Sequence, residues 1–127
     1  MRGGQGIPDK ICRTCGRPFS WRAAWARDWQ HVQTCSQACK KGPSALGLQL
    51  EPVLRRLVLA RGRHKSACPS EALTEIYGDR AAWPADATRD MRYAVNRLAH
   101  AGELEVLQQG RRVEAASARG PIRIRKS

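Results

Sequence analysis

Four cysteines in two close pairs constrain this chain more than any other feature. Cys12 and Cys15 stand three apart in Cys12-Arg13-Thr14-Cys15-Gly16, and Cys35 and Cys39 stand four apart in Cys35-Ser36-Gln37-Ala38-Cys39. A CxxC step sets two thiolates on one tight turn, and Gly16 supplies the left-handed backbone that closes it. A four-residue step sets two thiolates on one side of a first helical turn. There Ser36 helps to cap the turn, and the positive helix end favours thiolate charge. Together the pairs offer four sulfurs and no open position, the donor set of a closed structural zinc site. One zinc ion on Cys12, Cys15, Cys35 and Cys39 is therefore expected. Iron also suits four thiolates, and free buried thiols remain the alternative to any metal.

The wider sequence agrees with a reducing compartment. The chain has 5 cysteines, an odd number that argues against a pure disulfide framework. Its start, Met1-Arg2-Gly3-Gly4-Gln5-Gly6, lacks the apolar segment of a signal peptide. No stretch approaches the roughly 18 apolar residues of a membrane helix. A cytoplasmic location without membrane association is the expectation.

Residues 1–9 read as a flexible tail and residues 10–42 as a zinc module. A knuckle, a short intervening element and ligands on a helix start make that module treble-clef-like. Trp21, Trp25, Trp29 and Val32 recur on one side of an expected helix. Their expected role is to cover the knuckle and Phe19, since a small metal module has few other apolar groups to bury. The functional alternative is a stacking platform for bases beside Arg22 and Arg27. His31 is an ordinary surface or packing residue, because four cysteines already complete a tetrahedral site.

Residues 43–48, with Gly42-Pro43-Ser44 at the break, read as a linker. Residues 49–127 then change pattern. Leu50, Val53, Leu54, Leu57 and Val58 recur at helical spacing within a helix over 46–62, with Pro52 tolerable in its first turn. A second helix is expected from Pro69, capped by Cys68, and a third over Ala85–Ala101 with Ala87, Met91, Ala94, Val95 and Leu98 on one side. Leu104 and Val106 alternate with charged residues, Gln109-Gly110 makes a turn, Arg111–Ala115 returns, and Ile122–Arg125 alternates again. Helix, helix, helix, hairpin is the order of a winged helix-turn-helix domain. The expected class is thus α+β, a small treble-clef-like zinc module followed by a winged helix.

Charge points to a polyanionic partner. The formal net charge is +12, with 8 basic and 2 acidic residues up to residue 48 and 15 and 9 beyond it. Such a field attracts nucleic acid or an acidic protein face; a solvated arginine-rich surface is the plain alternative. In a helix-turn-helix the third helix enters the major groove. With Met91, Val95 and Leu98 inward, its other side is expected to present Arg89, Tyr93, Asn96 and His100, with Arg92 at the edge. Arginine suits guanine and asparagine suits adenine. Arg111 and Arg112 on the wing, extended by Arg123, Arg125 and Lys126, suit phosphates. Asp86 and Asp90 lie where phosphates would approach, which is a mark against this surface. DNA is favoured over RNA, and a protein-interaction adaptor or inhibitor that binds an acidic partner is the second reading. Arg13, Arg17, Lys40 and Lys41 flank the ligands and offset the formal −2 of a four-thiolate zinc.

No enzyme is expected. A Gly-rich phosphate loop, paired carboxylates beside a histidine and an open metal site are all lacking. Cys68 at a helix start near His64 and Lys65 has the setting of a redox sensor or weak nucleophile, but no partner completes a catalytic set, and a small residue filling the cap and core edge is the simpler role.

Two segments carry a resemblance. CRTCGRPFSWRAAW followed by DWQHVQTCSQACKKG resembles a short uncharacterised bacterial four-cysteine family, whose knuckle and CSxxC cysteines fall on Cys12, Cys15, Cys35 and Cys39. ACPSEALTEIYG, MRYAVNRLAHAGELEVLQQGRRV and RGPIRIRKS resemble a second uncharacterised bacterial family of winged-helix type. Neither resemblance implies an established activity. Ala23-Ala24 replaces the first family's usual basic pair, and Thr34 replaces its usual aromatic, which weakens a nucleic-acid role for that face. The CSQACK segment is also similar to small zinc proteins that bind and inhibit DNA gyrase, which implies a partner hypothesis only.

Overall fold

The apolar periodicity that begins at Leu46 does become a helix, and the rest of the core is built on it. The computed structural model describes residues 6–127. Over them the chain is a mixed α+β protein, with three α-helices, two small antiparallel sheets and a four-cysteine cluster. Of the expected tail, residues 1–5 lie outside the described residues. Asp9, at its other end, accepts a hydrogen bond from Ser20 Oγ at 2.8 Å.

The first sheet is a two-residue pair, β1 (Lys10–Ile11) against β2 (Pro18–Phe19), which brackets the first cysteine pair. The expected tryptophan helix is replaced by two separate 3-10 turns, Ala23–Trp25 and Trp29–His31. Four-residue spacing of tryptophans is met by two tight turns as well as by a helix. Here Phe19 takes both Trp25 and Trp29 edge-on, at centroid distances of 5.5 and 5.6 Å, while the two indoles stack. The expected helix at Cys35–Cys39 is also absent. That segment runs through i to i+3 turns, Cys39 N–H to Ser36 O and Gly42 N–H to Cys39 O, and Gly42 (φ +83°) ends it. So few residues before a Gly-Pro break cannot repay the cost of nucleating an α-helix.

Helix α1 (Ala45–Arg61) starts earlier than its spacing suggested, so only Pro43 and Ser44 of the expected linker precede it. Ser44 Oγ accepts from the Gly47 N–H at 2.9 Å, an N-cap. Pro52 sits in the helix interior, not in its first turn. It is tolerated on the exposed side, where water can reach the Leu48 carbonyl that it leaves without a donor. Helix α2 (Ser70–Tyr77) starts after Pro69, and Glu71 Oε2 accepts from the Cys68 N–H at 3.0 Å. The Cys68 thiol does not cap the helix; it lies 2.9 Å from Ser70 Oγ. Helix α3 (Ala87–His100) buries Ala87, Met91, Ala94, Val95 and Leu98, the side its periodicity marked.

The second sheet has the order β4-β3-β5, from β3 (Leu104–Gln108), β4 (Arg111–Val113) and β5 (Arg123–Lys126). Gln109 (φ +52°) and Gly110 (φ +79°) are both left-handed, the requirement of a two-residue hairpin turn whose twist matches its strands. One sheet face, Leu104, Val106 and Ile124, closes on Leu50, Leu54, Leu73 and Leu98 of the three helices to form the main core.

Candidate metal centre

Cys12, Cys15, Cys35 and Cys39 converge, with their sulfurs all within 4.8 Å of one another. Cys35 Sγ lies 3.8 Å from both Cys15 Sγ and Cys39 Sγ. A tetrahedron with metal–sulfur bonds of ~2.3 Å has sulfurs about 3.8 Å apart, whereas a disulfide needs about 2.05 Å. All the cysteines are free thiols. The donor set and its spacing fit a metal ion.

Backbone geometry prepares the set. The Gly16 N–H bonds to Cys12 O at 2.9 Å, closing the knuckle, and the Cys35 N–H reaches Cys12 Sγ at 3.4 Å. Thr14 Oγ1 donates to Cys39 O at 2.6 Å and ties the two ligand turns together. Without a cation the site is electrostatically divided. Burial works against the Cys12 thiolate, but the surrounding backbone N–H groups outweigh it and lower the thiol to about 7. Burial pushes Cys15 up to about 12, aided by the Cys12 and Cys35 sulfurs, and raises Cys39 as well. A second and third thiolate so close to the first need a positive centre.

The module is docked on α3. Gly16 (φ +73°) lies against the helix, where a Cβ would come within 2.5 Å of Asn96 Cβ and 2.8 Å of the Arg97 nitrogen. Asn96 is buried and donates from Nδ2 to Cys15 O at 2.9 Å. Arg97 Nη1 donates to Thr14 O at 2.5 Å, while its Nε pairs with Glu51 on α1 at 2.8 Å. Tyr93 packs on the cysteine cluster; burial raises its phenol pKa, and Arg17 and Arg89 flank its ring at 5.8 and 5.9 Å.

This corrects the expected outward face of α3. Asn96 is covered by the cysteine knuckle, and Tyr93 is half-covered beside it. Arg89 is held by Asp86 and Asp90, and Arg92 donates to Ala118 O at 3.0 Å, where burial depresses its pKa. Asp90 is itself buried, accepting from Ser44 Oγ at 2.9 Å beside the start of α1. Its place in the sequence therefore reflects an internal cap contact rather than an approaching phosphate. His100 remains exposed and lines a cleft of about 650 Å³ with Glu105 and Arg112.

The sheet arginines are arranged differently. Leu107 pairs with Arg112 on one side and Arg123 on the other, and Glu105 pairs with Arg125, so these side chains share the outer face. Glu105 takes an ion pair from Arg125 and another from Arg112 at 3.5 Å. Arg123 bonds to Ser66 Oγ at 2.7 Å, and Arg111 stands exposed beside the turn. The residues that sequence reasoning missed are Gly16, Asn96, Arg97 and Glu51 as docking groups. The one available signal was an asparagine and an arginine adjacent on α3, which a groove-binding helix would also show.

Among the described residues, no helix is long and apolar enough to cross a membrane. A family model described as "Protein of unknown function (DUF3253)" matches residues 48–127, more than half of the chain, and the chain belongs to that family. A second, described as "Uncharacterized protein conserved in bacteria (DUF2256)", matches residues 5–42. A comparison with curated proteins gave no match.

Proposed function

We propose that this DUF3253 member is a non-enzymatic nucleic-acid-binding protein that grips the phosphate backbone, with one structural zinc ion on its four cysteines. In this reading α1 to α3 and the β3–β4 hairpin follow a winged-helix plan. The cysteine module takes the side of α3 that other helix-turn-helix proteins lay in the major groove. Base reading by Asn96 and Tyr93 is thereby given up. Contact falls to Arg111, Arg112 and Arg123 on the wing and outer sheet face, with DNA favoured over RNA.

The observation that carries the reading is the distribution of ion pairs. Glu51, Glu71, Glu75, Asp86, Asp90, Glu103 and Glu105 are each engaged by an arginine of the helix–sheet part. The excess positive charge is left on exposed groups such as Arg111, which makes no ion pair among the described residues. Arg111 without a pair, beside the exposed Arg112 and Arg123, favours phosphates without specifying sequence.

Binding of a short duplex is expected to weaken steeply as salt rises. Arg111→Gln, Arg112→Gln and Arg123→Gln each take one cation away from the phosphates, and each is expected to reduce the logarithmic salt slope by about 0.9. A flat salt response, or no binding at low salt, overturns the reading. The covering of α3 also favours a second reading, an adaptor for an acidic protein partner. A partner retained in a pull-down after nuclease treatment supports that reading over the first.

A further inference from the structure

The cysteine module carries a hollow of its own, of about 410 Å³, with no lining residue from the helix–sheet part. Its size falls within the range of ligand pockets, ~300–1,000 Å³. Arg13, Arg22 and Lys40 line it together with His31 and one carboxylate, Asp28. In the helix–sheet part most arginines near a carboxylate have paired with it. Here none of the three cations makes an ion pair or a side-chain hydrogen bond among the described residues, although Asp28 shares the hollow.

One of these cations, Arg22, is nevertheless held in place. Arg22 lies over the Trp25 ring with its guanidinium carbon 4.0 Å from the centroid. A cation held by an aromatic face keeps its N–H edge available. Trp25 is backed by Phe19 and Trp29, so the stack rests on a packed base. Arg13 sits in the knuckle, where its backbone N–H donates to Gln33 O at 2.9 Å, and Lys40 follows Cys39 on the second turn. Arg17 and Lys41 share with Arg13 and Lys40 the offset of a four-thiolate metal's charge.

A site with three cations against one carboxylate, edged by a planar cation–aromatic stack, suits a planar ring that carries an anion. We propose that this hollow binds a nucleotide through its phosphate, with Arg13, Arg22 and Lys40 donating to the phosphate and the base lying along the Arg22–Trp25 stack. The nucleotide is either free or the phosphorylated end of a strand. The site is separate from the sheet arginines and does not depend on their binding a duplex.

The test uses the full metal-loaded chain, read by tryptophan fluorescence and calorimetry. It is titrated with dAMP, with a 5′-phosphorylated deoxytetranucleotide and with the same tetranucleotide lacking the phosphate. Saturable quenching by the phosphorylated ligands is expected, with affinity about ten-fold weaker in Arg22→Gln and weaker still in Arg22→Gln/Lys40→Gln. Arg111→Gln/Arg123→Gln leaves it unchanged. Equal affinity for dAMP and the phosphorylated tetranucleotide identifies a free nucleotide, and about ten-fold preference for the latter identifies a strand end. Metal content, checked in each variant, shows whether the module is intact; Arg22 lies outside the ligand turns, so its single variant keeps the test valid. The proposal is overturned if nothing saturates below about 10 mM, if the unphosphorylated strand binds equally well, or if Arg22→Gln with its metal retained binds like the parent. None of these results bears on the duplex salt titration.

Discussion

Residues 10–42 and residues 45–127 bury different things. In the longer region Leu50, Leu54, Leu73, Leu98 and Ile124 are fully enclosed and meet one another across three helices and a sheet. In the shorter one the enclosed side chains are Cys12, Cys15 and Cys39 with the polar Thr14 and Thr34, while Phe19 and the tryptophans are only half covered. The longer region is held by apolar area removed from water. The shorter one has too little of it. It has instead a set of four cysteines fit to hold a metal ion, and a folded neighbour met through Gly16, Asn96 and Arg97. The helical segments follow the same division: where a core is available the expected helices form, and where it is not they shrink to 3-10 and single turns.

Metal removal is expected to separate the regions most sharply. Structural zinc in small modules contributes ~10–16 kcal/mol of binding free energy. Chelation should abolish the near-ultraviolet circular dichroism of Trp21, Trp25 and Trp29, while the far-ultraviolet signal of α1 to α3 persists. A module that keeps its tryptophan signal without metal would break the comparison. Ligation needs four thiolates, and burial holds Cys15 up at about 12 in the metal-free chain. Protons therefore compete with the metal: affinity should rise with pH and fall on acidification, measurable with a zinc indicator.

Gly16→Ala comes next. A Cβ there would approach Asn96 Cβ to 2.5 Å on a backbone at φ +73°. A loss of about 2–4 kcal/mol is expected in urea unfolding; a loss below about 1 kcal/mol would mean that the knuckle and α3 can part freely. Asn96→Leu leaves the Cys15 carbonyl without its donor and should cost about 1–3 kcal/mol, with metal retained. Glu103→Gln is the smallest and sharpens the comparison by touching only the helix–sheet part. The hydrogen bond from Arg55, at 2.6 Å, holds the Glu103 carboxyl below its ordinary 4.5. Its contribution is thus present above that value and lost as pH falls through the lowered one. The pair is partly exposed, so the difference should be about 0.2–1 kcal/mol near neutral pH and vanish in acid.

Much of this was legible in the sequence. The four ligands follow from spacing alone. Ala87, Met91, Ala94, Val95 and Leu98 mark the buried side of α3, and Gln109-Gly110 marks the hairpin. What the sequence did not show is the partner of the other side of α3. Periodicity states which side meets the core; it does not distinguish water, a groove or another part of the same chain as the cover for a polar side. Asn96 and Arg97 look alike in all three cases. The tryptophan spacing misled for a related reason, since four-residue repeats fit a helix and two successive tight turns equally well.

The hydrogen bond from Asn96 to Cys15 spans 81 residues of chain. A ribosome adding ~5–20 residues per second takes about 4–16 s to cover that span. The knuckle is therefore made first and its covering helix last. During that interval the four thiols have no α3 to lie against, and a metal ion, if captured then, would let the nascent module hold its shape and would keep its thiols from oxidants. Cells short of the metal would meet the consequence during synthesis, as chains whose finished helices have nothing formed to receive.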